Sequence, residues 1–184
     1  MKNTVMVLGA ITALLALMLC GCGGMHTLNG KENLYICGNA EIDEPVKSID
    51  IDWPAGLVEI DYHSGTTVKI EESAAKQLSD DMLMQWCVEG TTLKIKAENS
   101  ERFRLSYPEK KLTLTLPEGF SGDNISISLA SAELETELLS ADSIKISTAS
   151  GRVCILTQAA NALEISSASG RIELTQCGEC KNVK

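Results

Sequence analysis

Two cysteine arrangements offer the clearest chemistry in this chain of 184 residues. Near the start, Met1-Lys2-Asn3 precedes an uncharged apolar run from Val5 to Leu19, which ends in Leu19-Cys20-Gly21-Cys22. That order has the form of a bacterial lipoprotein signal, with residues 1–21 removed and Cys22 acylated as the new first residue. Cys20 fits less well, because bulky Leu19 takes the small-residue position directly before it. The run is about 15 residues, short of the roughly 20 that a membrane-spanning helix needs, so an attached lipid is the expected anchor. Near the other end, Cys177-Gly178-Glu179-Cys180 has the spacing of a dithiol redox pair or of half a zinc site. Zinc asks for four ligands, and the sequence supplies no second CxxC and only two histidines, His26 and His63. A redox pair usually opens a helix that lowers the thiol pKa, whereas this one falls at a corner between strands. Cys177 and Cys180 are therefore weak candidates, and no metal or cofactor is expected.

Other constellations are weaker still. Asp50, Asp52 and Asp61 resemble the carboxylates of a carbohydrate-active enzyme, and Arg152 with Arg171 resembles a basic column on a strand face. Acids at alternate positions of a half-exposed strand are the ordinary composition of its solvated side, so catalysis is not the expectation. His26 lies in a leader and His63 beside a turn, which leaves no Ser/His/Asp set. Trp53, Tyr62, Trp86 and Tyr107 offer sugar-stacking surface, but aromatics are 4% of the chain and read more simply as large anchors of its core. Of seven cysteines, removing Cys20 and Cys22 leaves Cys37, Cys87, Cys154, Cys177 and Cys180. That odd number forbids a complete disulfide framework within one chain. Cys154 reads as a small buried apolar residue.

What must position these groups is a repeat. Ile125, Ile144 and Leu163 open three copies at a fixed step of 19 residues, with Ser131, Ser150 and Ser169 at a shared phase. So short a period with alternating apolar positions predicts an all-β, single-stranded parallel β-solenoid, each copy one coil of about 19 residues. Alternation points Ile125/Ile144/Leu163 and Ile127/Ile146/Ile165 inward as columns. It places Lys145 over Glu164, Glu133 over Arg152, and Arg152 over Arg171 outside. At the corners, Ala149 to Gly151 and Ala168 to Gly170 suggest positive φ at glycine. Asn182-Val183-Lys184 reads as the opening of a fourth coil, so the expectation is a truncated frame or a last coil capped by another molecule.

Upstream the same alternation is looser. Ser48 to Asp52, Leu57 to Asp61, Thr67 to Glu71, Leu93 to Lys96 and Lys111 to Leu116 read as strands, and Ser79 to Gln85 as a short helix. The segments SIDIDWPAGLVEIDYHSGTTVKIEE, GTTLKIKAE and KKLTLTLPEGF precede corners of the SASGRIEL kind. In that order they resemble the bacterial putative-adhesin family (domain of unknown function 4097, DUF4097) of β-strand-repeat envelope lipoproteins, from about Val46 to the C-terminus. The resemblance implies a right-handed parallel β-helix-like fold, no known catalytic residues and no cofactor.

The organisation read from these signals is a signal peptide over 1–21, a lipidated Cys22 and tether over 22–45, a strand region over 46–120 and regular repeats over 121–184. Lys plus Arg number 16 against 25 Asp plus Glu, a formal charge of −9, which is the wrong footprint for nucleic acid. The functional expectation is a non-catalytic, extracytoplasmic adhesin-like scaffold, lipid-anchored to the bacterial cell membrane. An envelope protein or a cell-wall glycan is the expected partner, with end-to-end self-association through the uncapped last coil. The alternative is a sensing module of an envelope-stress system, and a carbohydrate-active enzyme is the remote third.

Overall fold

The computed structural model describes residues 35–98 and 109–184. The thirteen strands form one curled sheet, with a single 3₁₀ turn at Asp80–Met82. In chain order they are β1 (Ile36–Cys37), β2 (Ala40–Ile42), β3 (Ser48–Trp53), β4 (Gly56–His63), β5 (Val68–Ala74), β6 (Gln85–Glu89) and β7 (Thr92–Lys96). After the gap come β8 (Lys110–Pro117), β9 (Gly122–Leu129), β10 (Glu133–Thr148), β11 (Arg152–Ser167), β12 (Arg171–Gln176) and β13 (Asn182–Val183). Signal, lipidation site, His26 and Tyr107 lie outside the described residues.

The long strands β10 and β11 bend from one flank of the curl to the other. One flank runs β1, β6, β7, β3, β9, the second half of β10, the second half of β11, then β13. The other runs β2, β5, β8, β4, the first half of β10, the first half of β11, then β12. Space order is not chain order, because the β3/β4 pair lies between β7/β8 on one side and β9/β10 on the other. From β7/β8 to β12 and β13 the pairing is parallel, whereas β5 and β6 join their neighbours antiparallel. The N-terminal part thus departs from a coil wound in sequence order.

Matched apolar residues stack along both flanks. On the first, Leu93, Ile49, Ile125, Ile144 and Leu163 pair successively, and all are buried. On the second, Leu112, Val58, Leu134 and Val153 do the same. The two columns meet in one hydrophobic core. Neighbouring strands stand about 4.8 Å apart, so each side chain packs on its counterpart, and full burial of one is worth roughly 1.5–3 kcal/mol. Ile165 is only partly buried, since its column nears the last strands.

The step between β10 and β11 stays constant through two compensating irregularities. Between Thr136 and Leu139 the strand β10 carries an extra residue opposite β11, and between Ala141 and Ser143 the extra residue lies in β11. The bulges cancel, so the inward columns stay in phase.

Several expectations are corrected. Gly151 and Gly170 do not adopt positive φ, unlike Gly56 and Gly119. Their reason is close approach, because a Cβ at Gly151 would stand 1.7 Å from the Ala132 carbonyl oxygen and one at Gly170 2.2 Å from that of Gly151. The preceding hydroxyls complete each corner, Thr148 Oγ1 accepting from Gly151 N at 2.9 Å and Ser167 Oγ from Gly170 N at 2.7 Å. The shared-phase serines bond backward, with Ser131 N to Pro54 O at 2.8 Å, Ser150 N to Ala130 O at 2.9 Å and Ser169 N to Ala149 O at 2.8 Å. Ser79 to Gln85 makes only the 3₁₀ turn, because Gln85 is already committed to β6. The tether is shorter than 22–45, since β1 and β2 belong to the sheet and Ile42 is buried. Cys154 faces outward opposite Glu173, its thiol 3.9 Å from Glu173 Oε2, and is only half-buried.

Candidate functional site

The bulge in β10 opens the one large irregularity on the second flank. Glu137 and Leu138 lift out of register there, and the Leu138 carbonyl accepts a hydrogen bond from the Tyr62 hydroxyl. On the other side, the chain leaves β8 through Pro117-Glu118-Gly119, with Gly119 at φ +78. Glu118 N bonds His63 O at 2.8 Å and Phe120 N bonds Pro117 O at 3.0 Å, which fixes the turn against the end of β4. Between bulge and turn lies an open groove of about 770 Å³, lined by Asp61, Tyr62, Glu118, Phe120, Glu137 and Gln158 among others.

Two aromatic side chains and three carboxylates therefore share one concave surface. Burial pushes the Asp61 carboxyl above the usual carboxylate range, with the neighbouring Glu59 charge adding to the effect. Burial also raises the Tyr62 phenol. Such a surface presents apolar ring area beside strong hydrogen-bond acceptors. Among the described residues no group of three or more His, Cys, Asp or Glu is arranged to hold a metal ion.

A second polar cluster is internal. Lys110 Nζ lies 2.6 Å from Glu72 Oε1 and 2.7 Å from the Met82 carbonyl, donates also to the Ala97 carbonyl, and sits 5.0 Å from the centre of the Trp53 ring. Glu72 Oε2 accepts from Met84 N at 3.0 Å. The Lys110 and Glu72 side chains are 3% and 4% exposed, so this is a buried structural clamp with no route to a ligand.

The sequence candidates scatter. Asp50 and Asp52 lie on β3 opposite Lys94 and Lys96, while Asp61 lies on β4, so the three acids are divided between flanks. Burial raises the Asp52 pKa, with Lys96 opposing. Arg152 and Arg171 pair in register as expected, and each finds acids on the same face. Arg152 lies 3.3 Å from Glu133 and 2.6 Å from Glu135, and Arg171 is 2.7 Å from Glu173. Cys177 and Cys180 are free thiols around Gly178, and Cys180 packs partly against the core rather than lying clear of it. Trp53 is a fully buried anchor, whereas Tyr62 has its hydroxyl committed to the groove. His63 Nε2 holds the Thr67 carbonyl at 2.8 Å and stabilises the local turn.

The groove acids Glu118 and Glu137 and the ring of Phe120 were not legible as a set. Their signals were a Pro-Glu-Gly turn and the Glu-Leu-Leu segment of the first repeat, neither of which announces proximity. No helix among the described residues is long and apolar enough to cross a membrane.

The family model of Toastrack DUF4097 matches residues 46–184. Among solved structures, a putative cell adhesion protein from Clostridium sporogenes aligns at 11% identity and TM-score 0.49, covering 77% of this chain and 100% of the other. A putative adhesin from Bacteroides fragilis aligns at 12% identity and TM-score 0.30, covering 78% of this chain and 97% of the other. No curated protein matches the chain.

Proposed function

The chain belongs to the Toastrack DUF4097 family, and from that premise we propose that it is a non-catalytic, extracytoplasmic interaction module. A lipid on Cys22 holds it to the bacterial cell membrane, its coils form a right-handed parallel solenoid, and its groove binds cell-wall glycan. The observation that supports the binding role is the groove itself, where Tyr62 and Phe120 adjoin Asp61, Glu118 and Glu137. A sugar ring offers apolar C–H faces to aromatic rings and hydroxyl donors to carboxylates and to the Gln158 amide. The stacked sheet holds these groups in place without cost at binding.

Co-sedimentation of the protein with purified peptidoglycan sacculi tests this reading. Binding is expected to weaken at least about tenfold, or 1.4 kcal/mol, in Phe120→Ala, with the glycan recovered chemically unchanged. Absence of binding by the unaltered protein overturns the glycan reading, and cleaved glycan overturns the non-catalytic one. Acylation is tested by feeding cells an alkyne fatty acid. Label is expected on the protein and on Cys20→Ser, and is lost in Cys22→Ser.

A further inference from the structure

The strand β12 has β11 on one side and no strand on the other among the described residues. Its inward residues continue columns that are buried everywhere else. Val153 is fully buried and its partner Ile172 is 36% exposed, Ile155 is buried and its partner Leu174 is 38% exposed, and beyond Leu163 stands Val183 at 61%. An edge of this kind is a template for another strand.

The opposite end of the stack supplies no matching edge. There β5 and β6 run antiparallel, and the outermost strands β1 and β2 are 2 and 3 residues long. A head-to-tail filament therefore meets a blunted surface after its first contact. The partner with a complementary edge is the same edge of a second copy, which makes the contact isologous and closed.

Charge selects the register. Two β12 strands related by a two-fold axis run antiparallel, and opposite residues face the same side of the sheet. Centred on Glu173, the pairing opposes two carboxylates, and centred on Leu174 it opposes no ions. Centred on Ile172, it sets Arg171 opposite Glu173 of the copy and Glu173 opposite Arg171, while Ile172 packs on itself. Arg171 is available for this, because Arg152 beneath it takes Glu133 and Glu135, leaving Arg171 only Glu173 on its own strand.

We propose that the β12 edge is a homodimer interface, formed by antiparallel pairing of Arg171–Gln176 with the same strand of a second copy and centred on Ile172. The contact is a single short edge, so the dimer is a weak one, with a dissociation constant of roughly 1–100 µM.

Sedimentation velocity across about three decades of concentration tests it, using the full chain with Cys22→Ser so that no acyl group drives association. The expected result is a reversible monomer–dimer equilibrium without larger species. Arg171→Glu sets Glu opposite Glu, Glu173→Arg sets Arg opposite Arg, and each is expected to weaken the dimer at least about tenfold, or 1.4 kcal/mol. The double variant Arg171→Glu/Glu173→Arg restores complementarity and is expected to return within about threefold of the original constant. These positions are solvent-exposed, so the variants retain the fold. A monomer at every concentration, oligomers beyond the dimer, or a dimer indifferent to the single reversals overturns the proposal. So does failure of the double reversal to rescue.

Discussion

The two ends of the stack are built from the same columns and finished in opposite ways. At the β5/β6 end, Ile70 lies opposite Leu114 and Glu72 opposite Leu112, so one column closes on an aliphatic side chain and the next on a buried ion pair with Lys110. At the β12/β13 end the same columns stop at Leu174 and Ile172, both in solvent contact. Burial, and not residue type, is what differs. A charged residue aimed inward is a device that stops a sheet from growing, because a further strand would have to bury it without its partner. The protein thus carries a stop at one end and a template at the other.

The largest effect is expected from breaking the stop. In Lys110→Met the Glu72 carboxylate stays buried without its cation, and unfolding free energy in urea titration should fall by about 3–5 kcal/mol. The double variant Lys110→Met/Glu72→Leu removes both charges and should recover the larger part of that loss. The remainder reflects the Met82 and Ala97 carbonyls, which lose their shared donor. If the double variant is as unstable as the single one, the ion pair is not what finishes this end.

Next in size is the contrast along a single column. Leu112→Ala removes a fully buried side chain beneath the clamp and should cost about 2–5 kcal/mol. Ile172→Ala, on the same column at the open end, should cost under about 1 kcal/mol in dilute monomer, because a third of the side chain is already exposed. Equal losses would show that the last strand is covered in solution at those concentrations. Dilution would then separate a dimer from an intrinsically buried edge.

The sequence reached the columns because a repeat reports register directly. Ile125, Ile144 and Leu163 have one type, one phase and one step, and the pairing follows from alternation alone. It did not reach the stop, because Glu72 and Lys110 are 38 residues apart and each sits in a segment that reads as an ordinary amphipathic strand. Nor did it reach β6, whose Gln-Trp-Cys-Val-Glu follows a stretch with no alternation and gains its strand only by pairing with β7. The corner glycines were found by position but for the wrong reason. A sequence marks where a Cβ is missing, and only the Ala132 carbonyl beneath Gly151 shows what the missing atom would have met. The groove shares this fate, since a one-residue bulge leaves the spacing of the repeats unchanged.

Proton linkage sharpens the comparison on the stopped half, where two carboxyls shift in opposite directions. Burial raises Asp52, so the folded state binds its proton more tightly than the unfolded chain does. Its penalty is present at neutral pH and is relieved as pH falls through the folded value toward about 3.9. Asp52→Asn should therefore be at least as stable as the unaltered protein near pH 7, with the advantage vanishing by about pH 4. Glu41 is held low, first by the hydrogen bond from Thr67 at 2.7 Å and then by Lys69. Its contribution is present above about 4.3 and is lost as pH falls through the lower folded value, so Glu41→Gln should show a deficit that fades in acid. Chemical denaturation of both variants between pH 3 and 8 checks the two signs, and parallel curves would contradict them.

The smallest effect is expected from the exposed charges over the open half. Lys145 and Glu164 stand 3.6 Å apart with side chains 60% and 46% exposed, directly over buried Ile144 and Ile146. Water screens such a pair, and ordering two long side chains offsets part of the attraction. Lys145→Glu should lower stability by less than about 1 kcal/mol at low salt, and the deficit should shrink as ionic strength rises toward about 1 M, where the screening length falls to about 3 Å. Lys145→Glu/Glu164→Lys should return to the original value. A loss above about 2 kcal/mol, or one indifferent to salt, would mean that surface charge helps to set the register between β10 and β11. A small, screened loss leaves that task to the inward columns, where a one-residue slip would carry Ile144, Ile146 and Leu163 from core to solvent together.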